Sequence, residues 1–184
     1  MPLPGNTPFP INLQSPALRK NLALLGALCL FLSTVEYMIP KPLPFMRIGI
    51  ANLPLMLALD IFSFRVFMIL AGIKILGQAL ITGTLFSYIF LFSLAGTVLS
   101  AVSMYALRRL FTPRRISFVG IGTAGAMMSN ITQMVLAWVF IFHDNVRYIA
   151  PPFLAAGLVT GIILGAFCEA FTRRSQWYAA HRVR

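Results

Sequence analysis

Acidic residues are nearly missing from this chain of 184: Glu36, Asp60, Asp144 and Glu169 stand against fifteen Lys and Arg. Charged residues of both signs make up 10% of the sequence, where a soluble domain carries roughly 25%. With 59% apolar residues and a mean hydropathy of +0.84, the chain is unsuited to being surrounded by water. Other absences exclude whole chemistries. There is no G-x-x-x-x-G-K-[ST] loop to cradle nucleotide phosphates and no aspartate cluster to hold magnesium on a diphosphate. There is also no nucleophile–histidine–acid set. Two histidines and two cysteines do not assemble a metal site, and Cys29 and Cys168, both inside apolar runs, read as small packing residues. Catalysis by this chain alone is not expected, and neither is a cofactor.

The residues that are present favour a membrane. The runs 75–107, 116–142 and 148–168 contain no Asp, Glu, Lys or Arg. A hydrocarbon core ~30 Å thick is crossed by about 20 apolar residues of helix. Inside lipid the backbone must satisfy itself, which leaves helices or closed barrels. Period-two alternation is lacking and Leu, Ala, Met and Gly dominate, so the spans are predicted to be helical. The N-terminus, with Pro2, Pro4, Pro8, Pro10 and Pro16, lacks the basic-then-apolar order of a cleaved signal peptide. Residues 1–17 read as an irregular tail, 18–172 as one transmembrane domain and 173–184 as a basic cytoplasmic tail.

Helix breakers divide the apolar domain. A first span over 18–38 ends before Pro40, Pro42 and Pro44, and a shorter second segment covers 48–62. The third starts near Arg65 and stops at Thr82-Gly83-Thr84. The fourth covers 87–108, the fifth 117–142 and the sixth 150–171, with Pro151 and Pro152 in its first turn. With six spans, one face receives Arg19, Lys20, Arg65, Arg108, Arg109, Arg114, Arg115, Arg173, Arg174, Arg182 and Arg184. The other receives Lys41, Arg47 and Arg147. That bias places both termini in the cytoplasm. If the second segment does not cross, Lys41 and Arg47 trade sides with Arg19 and Lys20, so charge alone does not choose between five spans and six. The net charge of +11 is explained by these flanks rather than by nucleic acid.

Function is sought in the few polar groups within the spans. Lys74 lies near the middle of the third, with Gln78 one turn on along the same face. A lysine at that depth costs about 3 kcal/mol on insertion scales, so it should face protein or a water-filled cavity. It reads either as a substrate contact or as the partner of Asp60 or Glu36. Asn130 and Gln133 place two amides at mid-membrane, suited to a polar ligand or to bracing another helix. Glu36 is expected to pair locally with Lys41 or Arg47, Asp60 with Arg65, and Glu169 with Arg173 at i+4. Gly157, Gly161 and Gly165 form a face that lets a helix approach closely. Ala23 and Ala27, beside Gly26, make a smaller groove near the cytoplasmic end of the first helix.

Several motifs follow in order: Arg47-Ile-Gly-Ile-Ala-Asn52-Leu53, Lys74-x-x-x-Gln78, Gly83-Thr84-Leu85-Phe86-Ser87, Gly125-Ala126-x-x-Ser129-Asn130-x-x-Gln133 and Thr160-Gly161-x-x-x-Gly165. In this the chain resembles the bacterial "Gx transporter" family, often labelled heptaprenyl diphosphate synthase component I. The likeness covers about residues 20 to 170; where that family typically has His before the Asn, this chain has Ser129. The family is similar in turn to the substrate-binding S-components of energy-coupling-factor transporters. The resemblance implies an all-α inner-membrane bundle of six helices that binds a small polar or anionic nutrient or cofactor precursor from outside. It implies a transmembrane coupling protein and ATPases as partners, with Ala23 and Ala27 matching the small-x-x-x-small patch that touches the coupling protein. It also implies a pocket in which Lys74, Gln78, Asn130 and Gln133 hold the ligand at mid-depth and Arg47, Asn52, Ser87 and Tyr88 complete the outer side. The alternative is a non-catalytic membrane subunit of a polyprenyl diphosphate-synthesising or redox assembly.

Overall fold

Long, predominantly apolar runs of helix formers give long helices, and five such helices dominate the structure. The computed structural model describes residues 16–40, 48–111 and 116–181. In chain order the helices are α1 (Pro16–Met38), α2 (Leu53–Ala58), α3 (Phe64–Ile81), α4 (Tyr88–Leu110), α5 (Phe118–Ala137), α6 (Val146–Arg174) and α7 (Gln176–His181). There is no strand among the described residues. The five long ones, with α5 continued to Phe142, are apolar and long enough to cross a membrane.

Local chemistry sets most boundaries. Ser87 caps α4 by accepting from the Ile89 amide (3.3 Å), and Ser117 caps α5 by accepting from the Gly120 amide (3.2 Å), each satisfying an orphan donor. Gly83, at φ 66°, turns the chain out of α3 in the left-handed conformation that glycine adopts without penalty. The last helix begins at Val146, a turn before the expected start at residue 150. Pro151 and Pro152 therefore lie inside α6 rather than in its first turn, and the carbonyls of Arg147 and Tyr148 lose their usual amide partners. The expected tail 173–184 is helical in part, because α6 runs to Arg174 and α7 follows.

Helix directions follow from close contacts. On α1, Gly26 faces Leu70 and Ile73 of α3, and Leu30 faces Gly77, so numbers rise together and the two helices run parallel. On α4 and α5, Gly96 faces Ser129 and Gln133 while Gly125 faces Ser100 and Met104; that pair is antiparallel. On α5 and α6, Asn130 faces Gly157 and Val119 faces Gly165, again antiparallel. A methyl group at Gly161 would stand 2.9 Å from Thr123 Cα, and one at Gly165 2.5 Å from Val119 Cα. Those distances are backbone against side-chain space, so the glycine face of α6 is what brings these two helices together.

These directions gather the described basic residues. Arg19 and Lys20 begin α1, Arg65 begins α3, Arg108 and Arg109 end α4, and Arg173 and Arg174 end α6. All of them lie at one end of the bundle, with Arg147 at the other. Lys41, Arg47, Arg114, Arg115, Arg182 and Arg184 lie outside the described residues.

Because α1 and α3 are parallel, the chain between them returns through the bundle. Residues 48–51 sit against Glu36 near the far end of α1, whereas Asp60 reaches Arg108 at the basic end. The expected second helix over 48–62 is not continuous: a 3-10 turn (Ile50–Asn52) leads into six residues of α2. Pro54, Leu55, Met56, Leu57 and Ala58 are all buried. Leu55, Met56, Leu57 and Ala58 form one core with Leu25, Phe67, Leu70, Met104 and Ile121. Irregular backbone is tolerated at that depth only where protein surrounds it, and here it does.

The expected Asp60–Arg65 pair is not what forms. Asp60 instead takes two bonds from the Arg108 guanidinium, at 2.7 Å from Nε and 2.5 Å from Nη2. It takes a third from the Tyr178 hydroxyl at 2.7 Å. Arg108 also donates to the Ile116 carbonyl (3.3 Å) and lies 4.6 Å over the Phe118 ring. Folding brings the end of α4 onto the α2–α3 junction, where the planar fork of Arg108 meets the carboxylate with two bonds. Tyr178 thereby ties α7 to the basic end. Glu169 and Arg173 pair as their spacing indicates, at 2.5 Å.

Candidate functional site

A carboxylate inside an apolar helix must find donors, and Glu36 (1% exposed) finds them in the backbone. It accepts from the amides of Ile48 (2.9 Å), Gly49 (3.2 Å) and Ala51 (3.2 Å). Gly49, at φ 89°, lets successive amides face one point, an anion-binding nest. The expected partners Lys41 and Arg47 lie outside the described residues. The nest sets the turn that delivers Asn52, whose side-chain oxygen accepts a hydrogen bond from Lys74 Nζ.

Lys74 (2% exposed) and Gln78 are buried on the inner face of α3. Together with Glu36, Asn52 and Asn130 they line a single interior pocket. Asn130 reaches it from α5 while its amide donates to the Phe153 carbonyl of α6 (3.1 Å). That position exists because Gly157 leaves room: a methyl group there would overlap Asn130 Nδ2 at 1.9 Å. Thr97 of α4, Ser129 of α5 and Thr160 of α6 add hydroxyls, and Met56 and Met104 supply apolar wall. The unfilled space is about 550 Å³ with the mouth included, but the part a whole water can occupy is about 20 Å³. That is room for about one water. The pocket is a narrow polar slot, and a larger occupant requires its walls to part.

Other expected site residues lie elsewhere. Gln133 is fully buried but outside the pocket lining; its Nε2 donates to Ser129 Oγ (3.1 Å), bracing α5 beneath Gly96 of α4. Ser87 is the α4 cap, and Tyr88, 54% exposed, packs its ring edge-on to Phe92; neither reaches the slot. Arg47 lies outside the described residues. Ala23 and Ala27 are exposed on the outer face of α1, while Gly26 turns inward. Cys29 and Cys168 are buried free thiols. Among the described residues no three His, Cys, Asp or Glu come together.

Sequence reasoning missed Glu36, Thr97, Ser129 and Thr160 as pocket residues. For Glu36 the signal was available, since an acid within a charge-poor apolar helix is itself a marker of function. The hydroxyls gave none, because Ser and Thr are ordinary in membrane helices.

Five apolar helices wrapped round a buried polar slot define a multi-pass helical membrane protein. The model of the heptaprenyl diphosphate synthase component I family matches residues 25–171, and the chain belongs to that family. Comparison with curated proteins and with solved structures gives no match.

Proposed function

We propose that this protein is a non-catalytic, S-component-like membrane binding protein that captures a small polar molecule and passes it across the bilayer. The observation that carries the reading is convergence. Lys74 and Gln78 from α3, Asn52 from the turn before α2, Glu36 from α1 and Asn130 from α5 line one slot. Polar groups placed only as separate braces have no reason to share a wall, and intramembrane ionisable residues characteristically mark substrate paths. On this reading the buried 48–62 segment is a sixth crossing, the basic end faces the cytoplasm, and the chain resides in the inner membrane with both termini inside. The exposed Ala23 and Ala27 face is where a transmembrane coupling protein, with its ATPases, would dock.

Native mass spectrometry of gently extracted protein tests this directly. A retained small molecule that is lost in Lys74→Ala, with folded yield less affected, is the expected result. If Lys74→Ala instead depletes folded protein while each remaining molecule still binds, Lys74 is a structural brace and the reading fails. The family description favours a second reading, a membrane subunit that anchors a separate prenyl diphosphate synthase. Co-purification with a soluble synthase and no small-molecule cargo would select it.

A further inference from the structure

We propose that the basic end of the bundle carries a binding site for an anionic phospholipid, in the groove where α6 ends and the chain turns into α7. The site is separate from the slot and does not depend on what the slot binds. Phe167, Ala170, Phe171, Arg174 and Ser175 line it. A whole water can occupy about 350 Å³ of this groove, against about 20 Å³ of the slot. The turn after α6 creates it. Ser175 leaves the helix in an extended conformation, with ψ 111°, and α7 is anchored under the bundle by the Tyr178 hydroxyl on Asp60 and by the Tyr178 ring against Phe118. The outward side of the last turns of α6 stays open. Phe167 is 56% and Phe171 38% exposed, and their rings stack 6.5 Å apart.

The two ends of the groove match the two ends of a phospholipid. The stacked rings offer an apolar wall to an acyl chain. Next to them stand the exposed Arg174 and the Ser175 hydroxyl, whose oxygen accepts from the Tyr178 amide (3.2 Å) and whose proton remains to be donated. An arginine fork beside a hydroxyl suits a phosphate. Charge selects an anionic lipid over a zwitterionic one. The seven described Lys and Arg at this end, from Arg19 to Arg174, face two acids, Asp60 and Glu169. Arg108 engages the first and Arg173 the second. Glu36 and Asp144 belong to the far half of α1 and to the α5–α6 junction. Residues outside the described ones contain no Asp or Glu, so no other acidic side chain redresses the excess. The carbonyl end of α6 opposes an anion with about half a charge, which Arg174 alone outweighs. A choline or ethanolamine headgroup brings its own cation into this positive field, and a lipid without one does not. Basic pockets at the membrane boundary bind anionic headgroups for the same reason.

The test is a titration of the full detergent-extracted chain with phosphatidylglycerol or with phosphatidylcholine of the same acyl chains, read by native mass spectrometry. The first phosphatidylglycerol should bind at least about tenfold more tightly than the first phosphatidylcholine. Arg174→Gln should lose about fivefold of the phosphatidylglycerol affinity, the share of one interfacial cation, with phosphatidylcholine unchanged. Arg174→Lys should recover most of that loss. Phe171→Ala should weaken both lipids, because it removes apolar wall rather than charge. Inorganic phosphate at about 10 mM should not displace the lipid, since it lacks the chain that the rings hold. Equal binding of the two lipids overturns the proposal. So does displacement by free phosphate, or an Arg174→Gln protein that binds as wild type does. The double change Arg19→Gln and Lys20→Gln, on α1 at the same end, should cost less than Arg174→Gln. An equal loss would mean that the diffuse field of the basic end attracts lipid without a site, and a second copy of the chain or a soluble protein retained through Arg174 in place of lipid would assign the groove to that partner; either result refutes the inference.

Discussion

Removing Asp60 should be the most damaging single change at the basic end of the bundle. The side chains of Arg108 and Asp60 are 7% and 9% exposed, and Asp60 takes both guanidinium bonds as well as the Tyr178 hydroxyl. In Asp60→Ala the arginine keeps the Ile116 carbonyl and the Phe118 face, which do not neutralise it. Breaking a buried pair by deleting one partner costs about 3–5 kcal/mol. The lower figure applies here, because Arg108 lies at the end of α4, where its side chain can reach the interface. Asp60→Ala should therefore lose about 3 kcal/mol. Asp60→Leu combined with Arg108→Met should lose no more than about 1 kcal/mol, since neither charge is then left alone. Reversible unfolding in mixed micelles, followed by far-ultraviolet circular dichroism, measures both. If the double variant is as unstable as the single, the site is held by packing and the electrostatic argument is wrong.

Gly161→Leu should separate α5 from α6, because its side chain would have to occupy the place of the Thr123 backbone; loss of monodisperse protein on gel filtration is expected, whereas Ala23→Leu on the exposed face of α1 should leave it intact. Cys29 and Cys168 are both 0% exposed. A water-soluble maleimide should label neither in the folded protein and both after denaturation; rapid labelling of either would show that the core around α2 opens readily.

Much of the architecture was legible because lipid imposes few solutions. Charge-free runs had to be helices, and breakers such as Thr82-Gly83-Thr84 marked their ends. The glycine face at Gly157, Gly161 and Gly165 was readable for the same reason, since a repeat of four along a helix is a geometric statement. The pocket was legible where a residue was costly: Lys74 with Gln78, and Asn130, stood out against their surroundings. Partner choice was not. Glu36 binds amides twelve to fifteen positions away, and Asp60 pairs forty-eight positions away, whereas sequence spacing favours near neighbours. Gln133 shows the reverse limit: an amide three positions from Asn130 turns toward α4 rather than the slot, and only helix packing decides which.

The buried return between α1 and α3 also bears on how the molecule is made. A stretch of this length, with a 3-10 turn and one six-residue helix, is a poor substrate for insertion into bare lipid on its own. Its neighbours from α4 and α5, such as Met104 and Ile121, emerge from the ribosome later. The thread has its full set of apolar neighbours only once those walls are in place, so the order of synthesis delays the enclosure of the middle of the protein.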